Sequence, residues 1–151
     1  MSAVLIDPSI EACQALVARI NSGTAYVLDV TATYSEQLID PLEEINNLRV
    51  DVCTGESETL EESLDLENRT SHSIQVWIRR KIIDLTNNNI DAMKLLVRQI
   101  FQRLNNYDTT DKRVRVWNCD NDQKQNPNKE LLQRDGLFVT SLLLQVEVEA
   151  S

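Results

Sequence analysis

The sequence predicts one α+β domain, in which two main helices pack on one face of a mainly antiparallel sheet of about five strands. Two stretches repeat apolar residues every three or four positions, which is the period of a helix with one buried side. Five other stretches alternate apolar and polar residues, which is the period of a half-buried strand. The 151 residues, 42% of them hydrophobic, are enough for a single domain (1–151) with its own core.

The first helix is predicted to start after Asp7, which can cap it, with Pro8 in its first turn. Gly23 is suited to end it, because glycine readily adopts the left-handed conformation of a helix C-terminus. Its apolar stripe consists of Ile10, Cys13, Leu16, Val17 and Ile20.

Alternation then predicts a first strand over residues 26–34 and a second over residues 48–53. Between them, residues 39–47 form a polar connection with room for one helical turn after Pro41. A long third strand is predicted over residues 68–80, paired with the second.

The second main helix is predicted after the asparagine cluster at residues 87–89. A short fourth strand follows at Val114 and Val116 and extends toward Asn118, and a short helix around residues 128–132 is ended by Gly136. The last strand, residues 137–149, is apolar on both faces over its first half. Such a strand is covered on both sides, by its own domain or by a neighbour. The stripe of the second helix consists of Ile90, Met93, Val97, Ile100, Phe101 and Leu104.

The formal net charge of −9 argues against free nucleic acid as a ligand, because nucleic-acid binders usually carry a basic face. Six acids and no base stand between residues 56 and 67, which predicts a solvated loop or hairpin tip at about 55–68. The functional alternative is an acidic surface that lines a pore or docks a basic partner. The six acids are Glu56, Glu58, Glu61, Glu62, Asp65 and Glu67.

No catalytic, cofactor or metal site is predicted. His72 is the single histidine, and the sequence indicates no nucleophile or orienting partner for it. The three glycines are too far apart for a phosphate-binding loop. Residues 120–122 resemble the start of a calcium loop but lack its later glycine and glutamate.

The three cysteines have neither disulfide-framework nor zinc spacing, so three reduced and packed thiols are expected, in a reducing intracellular compartment. The first residues do not form a signal peptide, and no apolar run is long enough to span a bilayer. We therefore expect no membrane association.

Several features suit contacts with other subunits. Basic residues end the third strand and begin the fourth, where they can meet an acidic run of another copy or simply be scattered surface charge. Both tryptophans fall at outward strand positions, which favours an interface or packing beneath a loop. The basic residues are Arg79, Arg80, Lys81, Lys112, Arg113 and Arg115; the apolar candidates are Trp77, Trp117, Leu137, Val139 and Leu143.

Three segments, SHSIQVWIRRKI, IDAMKLLVRQIFQRL and NPNKELLQRDGLFVTSLLLQVEV, together resemble the tail terminators (tail-completion or neck proteins) of long-tailed bacteriophages. The resemblance extends from Ile6 to Glu149 and depends on apolar patterning. Its last part is carried by Pro127, Leu132, Phe138, Ser141, Leu143 and Gln145.

The resemblance implies a viral structural protein that assembles into a homo-oligomeric ring, commonly a hexamer, at the head–tail connection of the virion. It also implies assembly in the host cytoplasm, a tail-tube protein and a head-connector or stopper protein as partners, and DNA only as passing cargo. The two-faced last strand and the Trp77 face would then belong to subunit contacts, and the acidic run would face the pore or the tube. The alternatives are a head-completion or stopper protein, a tail-tube subunit and, in a different class, a small hydrolase using His72 with Cys53 or an acid.

Overall fold

The computed structural model describes residues 7–23, 25–36, 48–55, 69–82, 87–121, 132 and 136–149. Within these residues two helices and a five-stranded mixed sheet confirm the α+β class. The elements are α1 (Pro8–Asn21), β1 (Ala32–Tyr34), β2 (Arg49–Thr54), β3 (Arg69–Lys81), α2 (Asn87–Leu104), β4 (Val114–Asn121) and β5 (Leu137–Glu149).

The sheet is built around two long antiparallel strands. Its order is β1-β2-β3-β5-β4, and β3 pairs with β5 without a shift from Arg69–Glu149 to Lys81–Leu137. The predicted pairing of the second and third strands is confirmed, with Val52 opposite Val76. The β1–β2 pairing is parallel and the other three are antiparallel, so the sheet is mainly antiparallel as predicted.

The first strand is shorter than predicted and contains only Ala32–Tyr34. The backbone before it is held by side chains of the helices. Gln99 accepts a hydrogen bond from the Val27 N–H (2.8 Å) and donates to the Ala25 carbonyl (3.1 Å), and Asn21 makes two such bonds with Ala32. Apolar and polar residues alternate over residues 26–34 because every second side chain packs against the core. Only the end of this segment pairs with the sheet.

The fourth strand is longer than predicted and contains a β-bulge between Val116 and Asn118. The extra residue, Trp117, reverses the alternation. Cys119 rather than Asn118 therefore shares the buried face with Val116, and only 7% of Cys119 is exposed. A bulge of this kind inserts one unpaired residue and turns the following side chains to the opposite faces.

The main core lies between the helices and one face of the sheet. Both predicted helices are confirmed, except that α2 starts at Asn87, so the asparagine cluster forms its first turn. Side chains of α1, α2, β3 and β5 share one buried cluster in which aliphatic residues predominate. Its fully buried large members are Leu16, Ile20, Ile74, Ile78, Met93, Leu96, Ile100, Leu104, Phe138, Leu142 and Leu144.

The N-terminus of α1 provides a pH-dependent test of the fold. Asp7 accepts hydrogen bonds from the Ser9 hydroxyl (2.6 Å) and the Ser9 backbone N–H (2.9 Å), which lower its pKa below 3.8. Replacing Asp7 with alanine is expected to lower the free energy of unfolding by about 1 kcal/mol at pH 7. Because the folded-state pKa is depressed, the carboxylate's contribution is present above pH 3.8 and is lost as the pH falls through the folded-state value.

Urea denaturation between pH 7 and pH 2.5 measures this effect. Asp7→Asn is the matched control, because asparagine caps a helix but does not titrate. The stability difference between wild type and Asp7→Asn should therefore shrink toward acid pH. A difference that stayed constant from neutral to acid pH would contradict the assignment of the cap.

Candidate subunit interface

A small apolar group lies on the face of the sheet opposite the helices, which we call the outer face. Trp77 of β3 is half-buried there and packs against Leu137 and Val139 of β5, of which only 3% and 9% are exposed. Leu143 lies farther along β5 and is half-buried. The first six residues of β5 are all buried, which confirms that this part of the strand is covered on both faces.

A buried ion pair lies beside this group. The Arg79 Nη2 atom is 2.7 Å from the Asp51 Oδ2 atom, and the two side chains are 9% and 1% exposed. The Thr33 hydroxyl donates to the Asp51 Oδ1 atom (2.9 Å), and Arg49 lies 3.8 Å from the same oxygen. Arg79 is thus buried within the protomer, where Asp51 matches its charge. The sequence instead predicted an exposed basic residue at this end of the strand.

The other two residues of that basic run have different positions. Arg80 is opposite Phe138 in the β3–β5 pairing, and Lys81 is opposite Leu137. Both side chains are half-buried. Of the three, only Arg80 and Lys81 retain partial access to a partner protein.

Trp117 is exposed on β4, which is the edge strand of the sheet among the described residues. It is the bulged residue of β4, the last strand in the sheet order, and 56% of its surface is accessible. The first part of this edge is covered, because the Val116 N–H donates to the Tyr107 carbonyl (2.7 Å) and the Thr109 N–H donates to the Val114 carbonyl (2.9 Å). Among the described residues this cover ends at Trp117, and unpaired strand edges are favoured sites for pairing with another chain.

An open groove of about 450 Å³ adjoins Trp117 and is rich in charge. Arg115 and Lys112 both contact the Asp108 carboxylate, at 3.5 and 3.8 Å. Nearby, Arg113 pairs with Glu11 of α1 at 3.0 Å. The predicted basic residues before and within β4 are thus paired with carboxylates of the same chain. The groove is lined by Asn106, Asp108, Arg115, Val116, Trp117 and Glu147.

The two tryptophans belong to separate surfaces. Trp77 is opposite Ser141 in the β3–β5 pairing, whereas Trp117 is inserted between the residues opposite Val146 and Gln145. The positions on β5 opposite the two tryptophans are therefore at least four residues apart. At roughly 3.3 Å per residue, this separates the tryptophans by about 13 Å or more along the strand direction. They also lie in strands on opposite sides of β5. The sequence identified both residues, but the structure does not join them in one cluster.

His72 has a hydrogen-bond partner that the sequence did not reveal. Its Nε2 atom lies 2.7 Å from the Thr70 hydroxyl, and burial lowers its pKa below 6.5. The proposed alternative pair, His72 and Cys53, lies on opposite faces of the sheet, because Cys53 is opposite Gln75 and strand side chains alternate.

The three cysteines are buried and free. Burial raises the pKa of Cys13 and Cys119 to about 12, and that of Cys53 to about 11. Little thiolate, the form that reacts or binds metal, is therefore present at neutral pH. Within the described part of the chain, no three histidine, cysteine or acidic side chains are grouped to hold a metal ion.

The comparisons with known proteins add no relatives: no family model matches the chain, and no curated protein matches it. Neither helix of the described segments is long and apolar enough to cross a membrane.

Some predicted features lie outside the described residues, namely the connection at 39–47, Asp122, Pro127 and the acidic candidates Glu56, Glu58, Glu61, Glu62, Asp65 and Glu67. Asp120 and Asn121 belong to β4 and not to a loop. Of the short predicted helix, Leu132 is described, and it is helical and packs against the main core.

Proposed function

We propose that the protein is a structural component of a bacteriophage neck or tail, where it forms a ring that caps the tail tube and joins it to the head connector. The exposed position of Trp117 at an open strand edge carries this proposal. Tryptophan is enriched among the residues that contribute most to protein–protein affinity, and it is uncommon as an isolated exposed side chain. The resemblance of the three quoted segments to tail terminators supports this kind of assembly.

A second exposed apolar surface lies on the helix layer. Leu95 of α2 is 46% exposed and Val27 is 42% exposed. We infer that the two residues lie near each other, because Leu95 precedes Gln99 by one helical turn and Gln99 accepts a hydrogen bond from the Val27 N–H. We call this pair the Leu95–Val27 patch. It is distinct from the Trp117 edge, which lies at the end of the sheet order.

The Trp117 edge and the Leu95–Val27 patch are two different candidate interaction surfaces, which favours a ring over a two-fold dimer. A two-fold interface joins a patch to its own copy, whereas a ring joins one patch to a different patch on the next subunit. In our proposal the Trp117 edge of one copy meets the helix layer of the next. Six such contacts, the number common among tail terminators, close the ring.

The net charge of −9 fits a channel through which DNA passes without binding. In this proposal the acidic run at residues 56–67 faces a partner subunit, and the net negative charge of the ring repels the phosphate backbone. DNA is therefore passing cargo, and the partners are the tail-tube protein and the head-connector or stopper protein. In this proposal the work is mechanical and not enzymatic; the separation of His72 from Cys53 argues against one of the two pairs offered for a hydrolase, His72 with Cys53 or with an acid.

Mass photometry and negative-stain electron microscopy of the full chain test the proposal. The expected result is a closed ring, for which six copies of the 17.2 kDa chain (6 × 17.2) give about 103 kDa. Long tubes would instead indicate a tail-tube subunit. A monomer at all concentrations from nanomolar to hundreds of micromolar, together with absence of the protein from purified virions, would reject the assembly role.

A further inference from the structure

A basic pocket lies where the two helices end. Arg19 in the last turn of α1 donates from its Nε atom to the Arg103 carbonyl (3.0 Å), and Arg103 of α2 donates from its Nε atom to the Arg19 carbonyl (3.2 Å). This reciprocal arrangement holds the two guanidinium groups at the joined helix ends. They line an open pocket of about 420 Å³ with Ser22, Tyr26, Gln99 and Gln102.

The charge of this pocket is not matched by a carboxylate among the described residues that line it. Two other grooves formed by described residues differ, because Arg113 is paired with Glu11 and Arg115 with Asp108. Each helix C-terminus contributes about half a negative charge. Two arginines at two such ends therefore leave roughly one positive charge at the pocket.

The neutral polar groups of the pocket are already engaged. The Tyr26 hydroxyl donates to the Ile20 carbonyl (2.9 Å), and the Gln99 amide bonds both Val27 and Ala25. The Ser22 hydroxyl donates to the Arg19 carbonyl and accepts from Arg103. The Arg103 Nη2 atom donates to Ser22 (2.8 Å), and the Arg19 guanidinium stacks over the Tyr107 ring (4.4 Å to its centroid). The remaining terminal guanidinium N–H groups suit a carboxylate best, because they match its charge and planar geometry.

We propose that this pocket binds carboxylates of an acidic protein segment, and that a second copy of this chain supplies them through residues 56–67. That run places three leucines, Leu60, Leu64 and Leu66, among its six acids. The exposed Leu95–Val27 patch adjoins the pocket through Gln99, so apolar and basic surfaces lie side by side. A segment of mixed acidic and leucine character complements both surfaces.

Nucleic acid fits this pocket less well. A duplex carries a charge about every 1.7 Å and needs a continuous basic track. Here one pocket with two arginines lies on an acidic chain, which repels the phosphates on either side. The choice of a second copy as the partner depends on the proposed ring, whereas binding of the acidic segment does not.

The test uses a labelled peptide of residues 55–68 and the full chain with its own six acids changed to glutamine or asparagine, which removes the competing segment. Fluorescence anisotropy should show saturable binding. Arg19→Gln/Arg103→Gln in that background should weaken the affinity at least about tenfold, as expected when two charge-assisted contacts are lost. Arg98→Gln is the matched control, because Arg98 is an exposed arginine of α2 outside the pocket, and it should bind within about twofold of the parent.

A second arm leaves the arginines intact. The same peptide with glutamine or asparagine at its six acidic positions should bind at least about tenfold more weakly, so a folding defect of the double variant cannot decide the result. Equal binding of the neutral peptide, or of the double variant when it is folded by circular dichroism, would overturn the proposal. Tighter competition at the pocket by inorganic phosphate or duplex DNA would also overturn it.

The pocket and the ring can fail separately. If the wild-type chain stays monomeric yet binds the peptide through Arg19 and Arg103, the proposed binding site is supported and the proposed ring is rejected. If the double arginine variant forms an unchanged ring and no peptide binding is detected, the proposed binding site is rejected and the proposed function stands.

Discussion

Replacing Asp51 with alanine is expected to lower the free energy of unfolding by about 3–5 kcal/mol, because the variant leaves the Arg79 guanidinium buried without its carboxylate. Asp51 is 1% exposed and its carboxylate lies 2.7 Å from Arg79, so bulk water cannot replace the lost charge. The Thr33 hydroxyl also loses its acceptor. Urea denaturation at pH 7 measures the change, with an unchanged dependence on urea concentration showing that the transition remains two-state.

Two further variants separate the buried pair from a general charge effect. Arg49 also approaches Asp51, but at 3.8 Å and with 43% of its side chain exposed, so Arg49→Gln should cost no more than about 1 kcal/mol. The double variant Asp51→Ala/Arg79→Met removes both charges and should recover part of the loss, because the buried guanidinium is removed together with its carboxylate. Equal destabilisation by Asp51→Ala and Arg49→Gln would contradict this account.

This ion pair also shows why the sequence predicted the elements better than their contacts. Asp51 stands between two valines in a short alternating strand, which indicates an exposed side chain. It is buried because β2 and β3 pair in a register that brings it near Arg79, 28 residues later. Apolar periodicity is a local signal and was sufficient for α1, α2, β3 and β5. Strand register depends on the whole sheet and cannot be inferred from local alternation.

The same limit applies to the candidate sites. The sequence indicated Trp117 but not the β-bulge that inserts it at the open edge, because a bulge depends on the neighbouring strand. The Arg19–Arg103 pocket joins two helix ends 84 residues apart, and neither arginine stands in a basic run. By contrast, the basic runs that the sequence does display are largely neutralised: Arg79, Arg113 and Arg115 each contact a carboxylate of their own chain.

Replacing Trp117 with alanine is expected to weaken the contact between subunits by about 2–4 kcal/mol, which is roughly a 30- to 1000-fold rise in the dissociation constant. The fold of the protomer should be little affected. Trp117 is 56% exposed, and substitutions at exposed positions usually change the free energy of unfolding by less than about 0.5 kcal/mol. Mass photometry of a dilution series measures the first quantity, and thermal unfolding of the protomer measures the second.

Trp77 provides the matched control, because it is the same residue type in a strand of the same sheet. Its side chain is half-buried against Leu137 and Val139, so Trp77→Ala removes packing within the protomer. We expect that variant to lower the free energy of unfolding by about 2 kcal/mol, below the 3–5 kcal/mol typical of a fully buried tryptophan. The two variants should therefore have opposite signatures, with assembly weakened by Trp117→Ala and stability lowered by Trp77→Ala. If Trp117→Ala assembled with the wild-type dissociation constant, the edge of β4 at Trp117 would not be the ring contact.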